Sequence, residues 1–362
     1  MADSPSARSA TGGAGAPRAP DGPGLSTPVA PTNALSSERY LAWLYSPREQ
    51  QPVLSALCQI EVEVAASLRP GIEHHVAHAR LQWWREECDR AARGRAAHPL
   101  TRELVRAFGS TSPAGPPPST AISNATAPAA WPSTAIAGIS GFLDAAVWDL
   151  AGATFETRKE LTAYCERWAA AMFEALGLRS EAAHAARSAH VAQLATEPGG
   201  VSHATGASPA SGALRLRALG AAVREVEMLA GLAREAHAGR LRVPLDELER
   251  AGVDVSSLAK APWPAELVNV LRERHESLRE TIANGVSQFG GDEQASIRGL
   301  LVWADLSWRL SWRAQRALPN VVLPRRYHAL ADGWHAWRAA NRASAGRLRL
   351  APGSSGLNRS TG

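Results

Sequence analysis

Apolar residues return every three or four positions along most of this chain, and the two-residue alternation of a half-buried strand is nearly absent. That period draws an apolar stripe down one face of a helix, and stripes on successive helices must be buried against one another. It predicts helices over Pro47–Leu68, Ile72–Arg95, Pro99–Phe108, Ile136–Leu150, Thr157–Leu176, Glu181–Leu194, Gly212–Ala238, Ala265–Phe289, Glu293–Leu318 and Pro324–Arg342. Ser46-Pro47 reads as a cap followed by proline in the first turn, and Thr157 with Glu160 as a capping box. Gly71, Gly94, Gly177 and Gly239 read as stops. No solenoid-type repeat is present. The expected fold class is all-α, a single helical bundle.

Three segments break the pattern. Residues 1–35 are rich in Ala, Pro, Gly and Ser and bury too little apolar surface to offset chain entropy, so they are expected to be disordered. The tail, 343–362, reads the same way. Residues 110–133 hold Pro113, Pro116, Pro117, Pro118, Pro128 and Pro132 and read as a loop inserted into one domain spanning 36–342.

Hydrophobic residues make up 45% and charged residues 20%, enough apolar material for a sizeable core. The net charge of +5 is carried almost wholly by arginine, since Lys159 and Lys260 are the only lysines. Such an excess suits diphosphates or an anionic membrane surface. It is too diffuse for nucleic acid, because no basic run alternates with aromatics. Cys58, Cys88 and Cys165 lie in apolar-periodic segments without a Cys-x-x-Cys pair, which predicts buried free thiols. No secretory signal and no long uncharged apolar run is seen, so the expected location is cytoplasmic, with peripheral contact at the inner membrane as an option.

Chemistry is carried by three blocks. One is the run Arg80-Leu-Gln-Trp-Trp-Arg-Glu-Glu-Cys-Asp89, closed by His98-Pro99-Leu100. A second runs from Ala218-Leu219-Gly220 through Gly239-Arg240 to Pro244-Leu-Asp-Glu-Leu248. The third joins Asp149-Leu150 to Phe155-Glu-Thr157 and to Glu160-Leu161-x-x-Tyr164. With these blocks the chain resembles the squalene/phytoene synthase family of head-to-head prenyl transferases, from about Glu38 to Leu318 with the 110–133 segment as an insertion. The resemblance implies a bundle of the isoprenoid synthase type around a central apolar cavity. It also implies two facing helices whose aspartates hold magnesium, and magnesium in turn stabilises the diphosphate leaving group.

Those aspartates are largely replaced here. Where active members carry Asp-Asp-x-x-Asp, this chain has Val62-Glu63-Val64-Ala65-Ala66, and only Glu63 keeps a carboxylate. Glu61 lies on roughly the opposite side of the helix and is not expected to serve the same ion. In the second block the matching positions are Glu227, Ala230-Gly231 and Arg234-Glu235, so an arginine stands where an acid belongs. Asp149 matches an acidic position, Phe155 stands in place of a tyrosine, and Arg39-Tyr40 replaces a serine–aromatic pair that contacts diphosphate. The resemblance therefore implies Glu63, Asp149 and Glu235 as a remnant metal set. It implies Tyr40, Arg80, Arg85, Tyr164 and Arg240 as contacts to a prenyl diphosphate, with Mg2+ as cofactor if the protein is active. The plainer reading leaves each acid solvated or paired with arginine, and each arginine in a structural ion pair. The stretch Leu57–Ala66 followed by the Trp83-Trp84 helix is closest to a divergent branch that includes the mitochondrial complex I assembly factor. That branch keeps the fold without intact Asp motifs, which implies binding or assembly and a possible protein partner.

Other motifs have plain readings beside sharp ones. Trp83 and Trp84, like Trp303, Trp308 and Trp312, either pack between helices or line a prenyl tunnel. His74 and His78, one turn apart, are either an exposed helix start or part of a metal site. Two function classes follow: a protein that binds a prenyl diphosphate or polyisoprenoid with weak or no catalysis, or an active transferase condensing farnesyl or geranylgeranyl diphosphate. A structural bundle with no small ligand is a third.

Overall fold

A computed structural model of the protein describes residues 37–69, 71–109, 133–177, 209–321 and 329–351. The expected helix over Glu181–Leu194 and the expected disorder of residues 1–35 fall outside the described residues. So does the 110–133 loop, apart from Ser133, which opens a helix. Among the described residues every regular element is helical, as the apolar period requires.

The chain opens with α1 (Ser37–Tyr45), a helix too short to register as a period, anchored by buried Ala42 and Trp43. The expected Ser46-Pro47 cap does not form. The Ser46 hydroxyl donates instead to the Ala42 carbonyl at 2.8 Å, and α2 (Gln51–Ala66) starts four residues later with Pro52 in its first turn. Next come α3 (His74–Ala92) and α4 (Pro99–Gly109). The turn between them closes on Glu87, fully buried, whose carboxylate accepts from the Ala97 and His98 amides at 2.8 Å and from the Thr101 hydroxyl. Then α5 (Ser133–Leu150) leads to α6 (Arg158–Ala169), which runs on through a π turn at Ala170–Glu174. Thr157 stands at the N-cap of α6 as expected, but the box does not form: the Thr157 side chain makes no cap hydrogen bond, and the Glu160 carboxylate accepts from the preceding Glu156 amide at 2.8 Å.

The expected Gly212–Ala238 helix is two helices, α7 (Pro209–Ala230) and α8 (Leu232–His237), interrupted at Gly231. After α9 (Leu245–Arg250) come α10 (Ala265–Ser287), α11 (Gly291–Ser296), α12 (Arg298–Ala317) and α13 (Ala329–Ser344). The stops at Gly94 and Gly239 hold, each directly after its C-cap and in the left-handed region that favours glycine, whereas α2 already ends at Ala66 with Ser67 as its cap, ahead of Gly71.

Helix α12 runs through the middle and packs on α1, α7, α10 and α13. It approaches α1 so closely that a Cβ on Gly299 would sit 1.9 Å from Ser46 Oγ. Similarly, a Cβ on Gly220 of α7 would meet Phe173 at 2.7 Å, so that glycine sets how near α7 comes to the π turn. Helices α2, α3, α4 and α5 form the other side of the bundle, and α6 joins the two sides by packing on α5 and α7. Fully buried rings of Trp168, Trp303, Phe173, Phe155 and Tyr164 fill the interior, and burial of such a side chain stabilises by about 1.5–3 kcal/mol.

Packing continues beyond residue 342, where the sequence predicts a disordered tail. Ala343 and Leu348 are buried, and Gln294 exchanges hydrogen bonds with the Leu348 amide and carbonyl at 2.9 and 3.2 Å. The three cysteines are free and buried, and burial pushes the Cys58 and Cys88 thiols up to about 12. No helix among the described residues is long and apolar enough to cross a membrane.

Candidate functional site

Helix α2 carries Val62–Ala66 and helix α7 the first part of the Ala218–Leu248 block, the stretches matched above to the family's acidic motifs. On α2 the buried stripe includes Leu57 and Val64, and Glu61 shares that phase, so its carboxylate points inward. On α7 the buried residues Leu219, Val223 and Val226 turn Glu227 toward the same interior. Arg39, projecting from α1, lies between them. Its guanidinium donates to Glu61 at 2.5 Å and to Glu227 at 2.9 Å. Arg224, one turn before Glu227, lies 3.4 Å from both carboxylates. Two indoles complete the set: Trp168 Nε1 donates to Glu61 at 2.8 Å and Trp303 Nε1 to Glu227 at 3.0 Å. The Arg39 guanidinium also lies 5.7 and 5.2 Å from those two ring centres.

Burial alone would push the Glu61 carboxyl up. The Arg39 and Arg224 guanidiniums and the Trp168 N–H outweigh it and hold the group below its usual range. For Arg39, burial opposes the charge, but Glu227 and Glu61 hold its proton far more tightly than usual. Both arginines stay charged at any pH at which the fold persists.

A second set of two acids and two arginines lies nearby. The last turn of α5 supplies Asp149, α6 supplies Tyr164, α8 supplies Glu235, and the turn at Gly239 brings back Arg240 and Arg242. Arg242, nearly fully buried, joins Asp149 at 2.8 Å to Glu235 at 3.1 Å. Arg240 donates to Glu235 at 2.9 Å, and the Tyr164 hydroxyl donates to Asp149 at 3.1 Å. Burial raises the Glu235 carboxyl, while Arg242 and Arg240 bring it below its ordinary value. Burial and then the Asp149 charge push the Tyr164 phenol up to about 12, so it remains a donor. Phe155 stacks on Trp148 at 5.8 Å beside this set.

A third set joins α6, α7, α9 and α10. Arg158 contacts Glu225 at 2.5 Å and pairs with Glu247, while Arg274 grips both oxygens of Glu225 at 2.5 Å. Each set holds two cations and two anions, so each sums to zero.

Magnesium, which the family resemblance implies, does not fit this donor set. A hard divalent cation needs about six oxygen ligands. Yet both oxygens of Glu61, of Glu227 and of Asp149 already accept from guanidinium, indole or phenol donors. Among the described residues no three His, Cys, Asp or Glu side chains are placed to share an ion. A Cβ on Gly231 would lie 2.6 Å from the Arg234 guanidinium, so a cation lies against that position too.

Of the residues singled out from the sequence, Asp149, Tyr164, Glu235 and Arg240 come together, through Arg242. The others lie elsewhere. Glu63 is 48% exposed and faces His98 at 3.4 Å, whereas Glu61 is only 13% exposed. Glu63 and Arg80 share a shallow concavity of about 270 Å³ with Ala66, Ser67, Trp83 and Trp84. Arg85 reaches Asp144 at 3.6 Å on the surface, and Tyr40 is half-exposed against Trp43. His74 and His78 are exposed, rings 4.6 Å apart. Trp84 is buried while Trp83 is exposed, so only one ring of that pair serves the core. The sequence does not single out Arg224, Arg242 or Trp168, sets Glu61 aside, and offers Trp303 only as a packing or tunnel-lining ring. The available signal was a charged residue on the apolar phase of its helix, as at Glu61 between Leu57 and Val64.

The family model described as squalene/phytoene synthase matches residues 32–329. Among solved structures, the fold is similar to a dehydrosqualene synthase crystallised with a ligand. The TM-score is 0.59 at 14% identity, over 85% of this chain and 90% of that one. It is also similar to the squalene synthase HpnC from Alicyclobacillus acidocaldarius, with a TM-score of 0.56 at 14% identity, over 80% of this chain and 92% of that one. At such identity the likeness speaks for the fold. No curated protein matches the sequence.

Proposed function

Because the chain belongs to the squalene/phytoene synthase family, we propose that it binds a polyisoprenoid or prenyl diphosphate within its helical bundle, with weak or no metal-driven catalysis. The observation that carries this reading is the saturation of Glu61 and Glu227 by Arg39, Arg224, Trp168 and Trp303. These carboxylates sit on the two motif helices, and a fixed guanidinium does between them what a divalent ion would do. Loading an ion there strips a buried arginine of its partner, which costs about 3–5 kcal/mol. Charge sets that each sum to zero also favour an apolar chain over a second ion. In this reading Arg39 sets the spacing of α2 and α7.

The test is turnover. Full-length protein is incubated with labelled farnesyl diphosphate and Mg2+, and pyrophosphate release is followed alongside equilibrium binding in chelator. The expected result is binding that chelator leaves unchanged and release no faster than in Glu61→Gln or Glu227→Gln. Metal-dependent release that disappears in either variant would establish an active head-to-head transferase instead.

A further inference from the structure

Helix α13 presents two unlike faces. Its inner face is made of small residues, Ala336, Ala339, Ala340 and Ala343, all buried against the rest of the bundle. Its outer face carries Leu330 at 90% exposure, Trp334 at 54% and Trp337 at 45%, spaced four and three residues apart on one stripe. The two indoles stack with centres 4.9 Å apart. Three large apolar side chains left in water together on one helix mark a contact surface.

Charge identifies the partner. From Ala329 to Ala351 the only acid is Asp332, which is buried and paired with Arg313 at 2.7 Å. Four arginines, Arg338, Arg342, Arg347 and Arg349, are exposed along the same segment. Arg338 and Arg342 border the tryptophan stripe, and neither has an acidic partner among the described residues. Tryptophan and arginine beside one another, with no acid among them, match the boundary between acyl chains and anionic headgroups.

We propose that the outer face of α13 docks on an anionic bilayer surface. The alanine face holds α13 on α1 and α12, the helices that supply Arg39 and Trp303. A docked α13 therefore sets the wall of the interior beside the phase in which isoprenoid chains dissolve. The inference stands apart from the catalytic question and survives either answer to it.

Co-sedimentation of full-length protein with vesicles tests it. One set is phosphatidylcholine alone, the other contains about one-third phosphatidylglycerol. The protein is expected to partition onto the anionic vesicles, more weakly as salt rises, and not onto the neutral ones. Trp334→Ser with Trp337→Ser should abolish partitioning, and Arg338→Gln with Arg342→Gln should weaken it about thirty-fold. All four positions are exposed, so thermal melts of both variants should match the parent. Partitioning that survives the tryptophan variant, or equal partitioning onto neutral vesicles, overturns the proposal. So does an absence of vesicle binding with a dimer that the tryptophan variant dissociates, since the face would then belong to a second copy.

Discussion

Replacing Arg39 with methionine removes the guanidinium nearest to both Glu61 and Glu227, at 2.5 and 2.9 Å, while keeping an apolar stem against Trp168 and Trp303. Breaking a buried ion pair from one side costs about 3–5 kcal/mol. Arg224 remains 3.4 Å from each carboxylate and offsets part of that. The expected loss is therefore about 3 kcal/mol near neutral pH, read by urea unfolding. The loss should also depend on pH. With Arg39 gone, burial dominates at Glu61 and its folded pKa rises above the unfolded value. Stability tied to that proton is present at low pH and is lost as pH rises through the folded pKa. The gap between variant and parent should thus be smaller at about pH 5 than at about pH 7.5. Adding Glu61→Gln to the variant should recover part of the loss, since Arg224 and Glu227 then remain as a balanced pair. A loss below about 1 kcal/mol, or a gap that does not narrow in acid, refutes the reasoning.

Two further outcomes follow from buried groups away from this centre. Burial first, then the Arg279 and Arg274 charges, lowers His275 to about 4. The unfolded chain binds that proton at about 6.5, so the stability it governs is full above that pH and is lost as pH falls toward the folded value. The parent should lose about 2 kcal/mol between pH 7.5 and pH 5 from this group, and His275→Gln should flatten that part of the urea-melt profile. Glu87→Ala should cost about 3 kcal/mol by the same assay, because the Ala97 and His98 amides and the Thr101 hydroxyl lose their buried acceptor.

Helix period carried the architecture into view before any coordinates, because burying a stripe every 3.6 residues leaves few alternatives to a bundle. It missed α1, whose nine residues span about two and a half turns, and the interruption at Gly231, where backbone and not pattern decides. The second charge set was half legible: Asp149, Tyr164, Glu235 and Arg240 were named, but Arg242, which joins them, was not. At the centre the expectation took Glu63 and set aside Glu61. The two lie on opposite sides of α2, and only the phase of its buried neighbours says which side is inward. Partners from distant segments, such as Arg39 to Glu227 across 188 residues, have no local signature at all.

The claim beneath all of this is that arginine holds the carboxylates a divalent ion would need. Manganese(II), a paramagnetic stand-in for magnesium, can be titrated into the full-length protein while the free-ion resonance signal is recorded. The parent is expected to give a linear signal with no saturable site. Saturable uptake that Glu61→Gln and Glu227→Gln together abolish would contradict the claim.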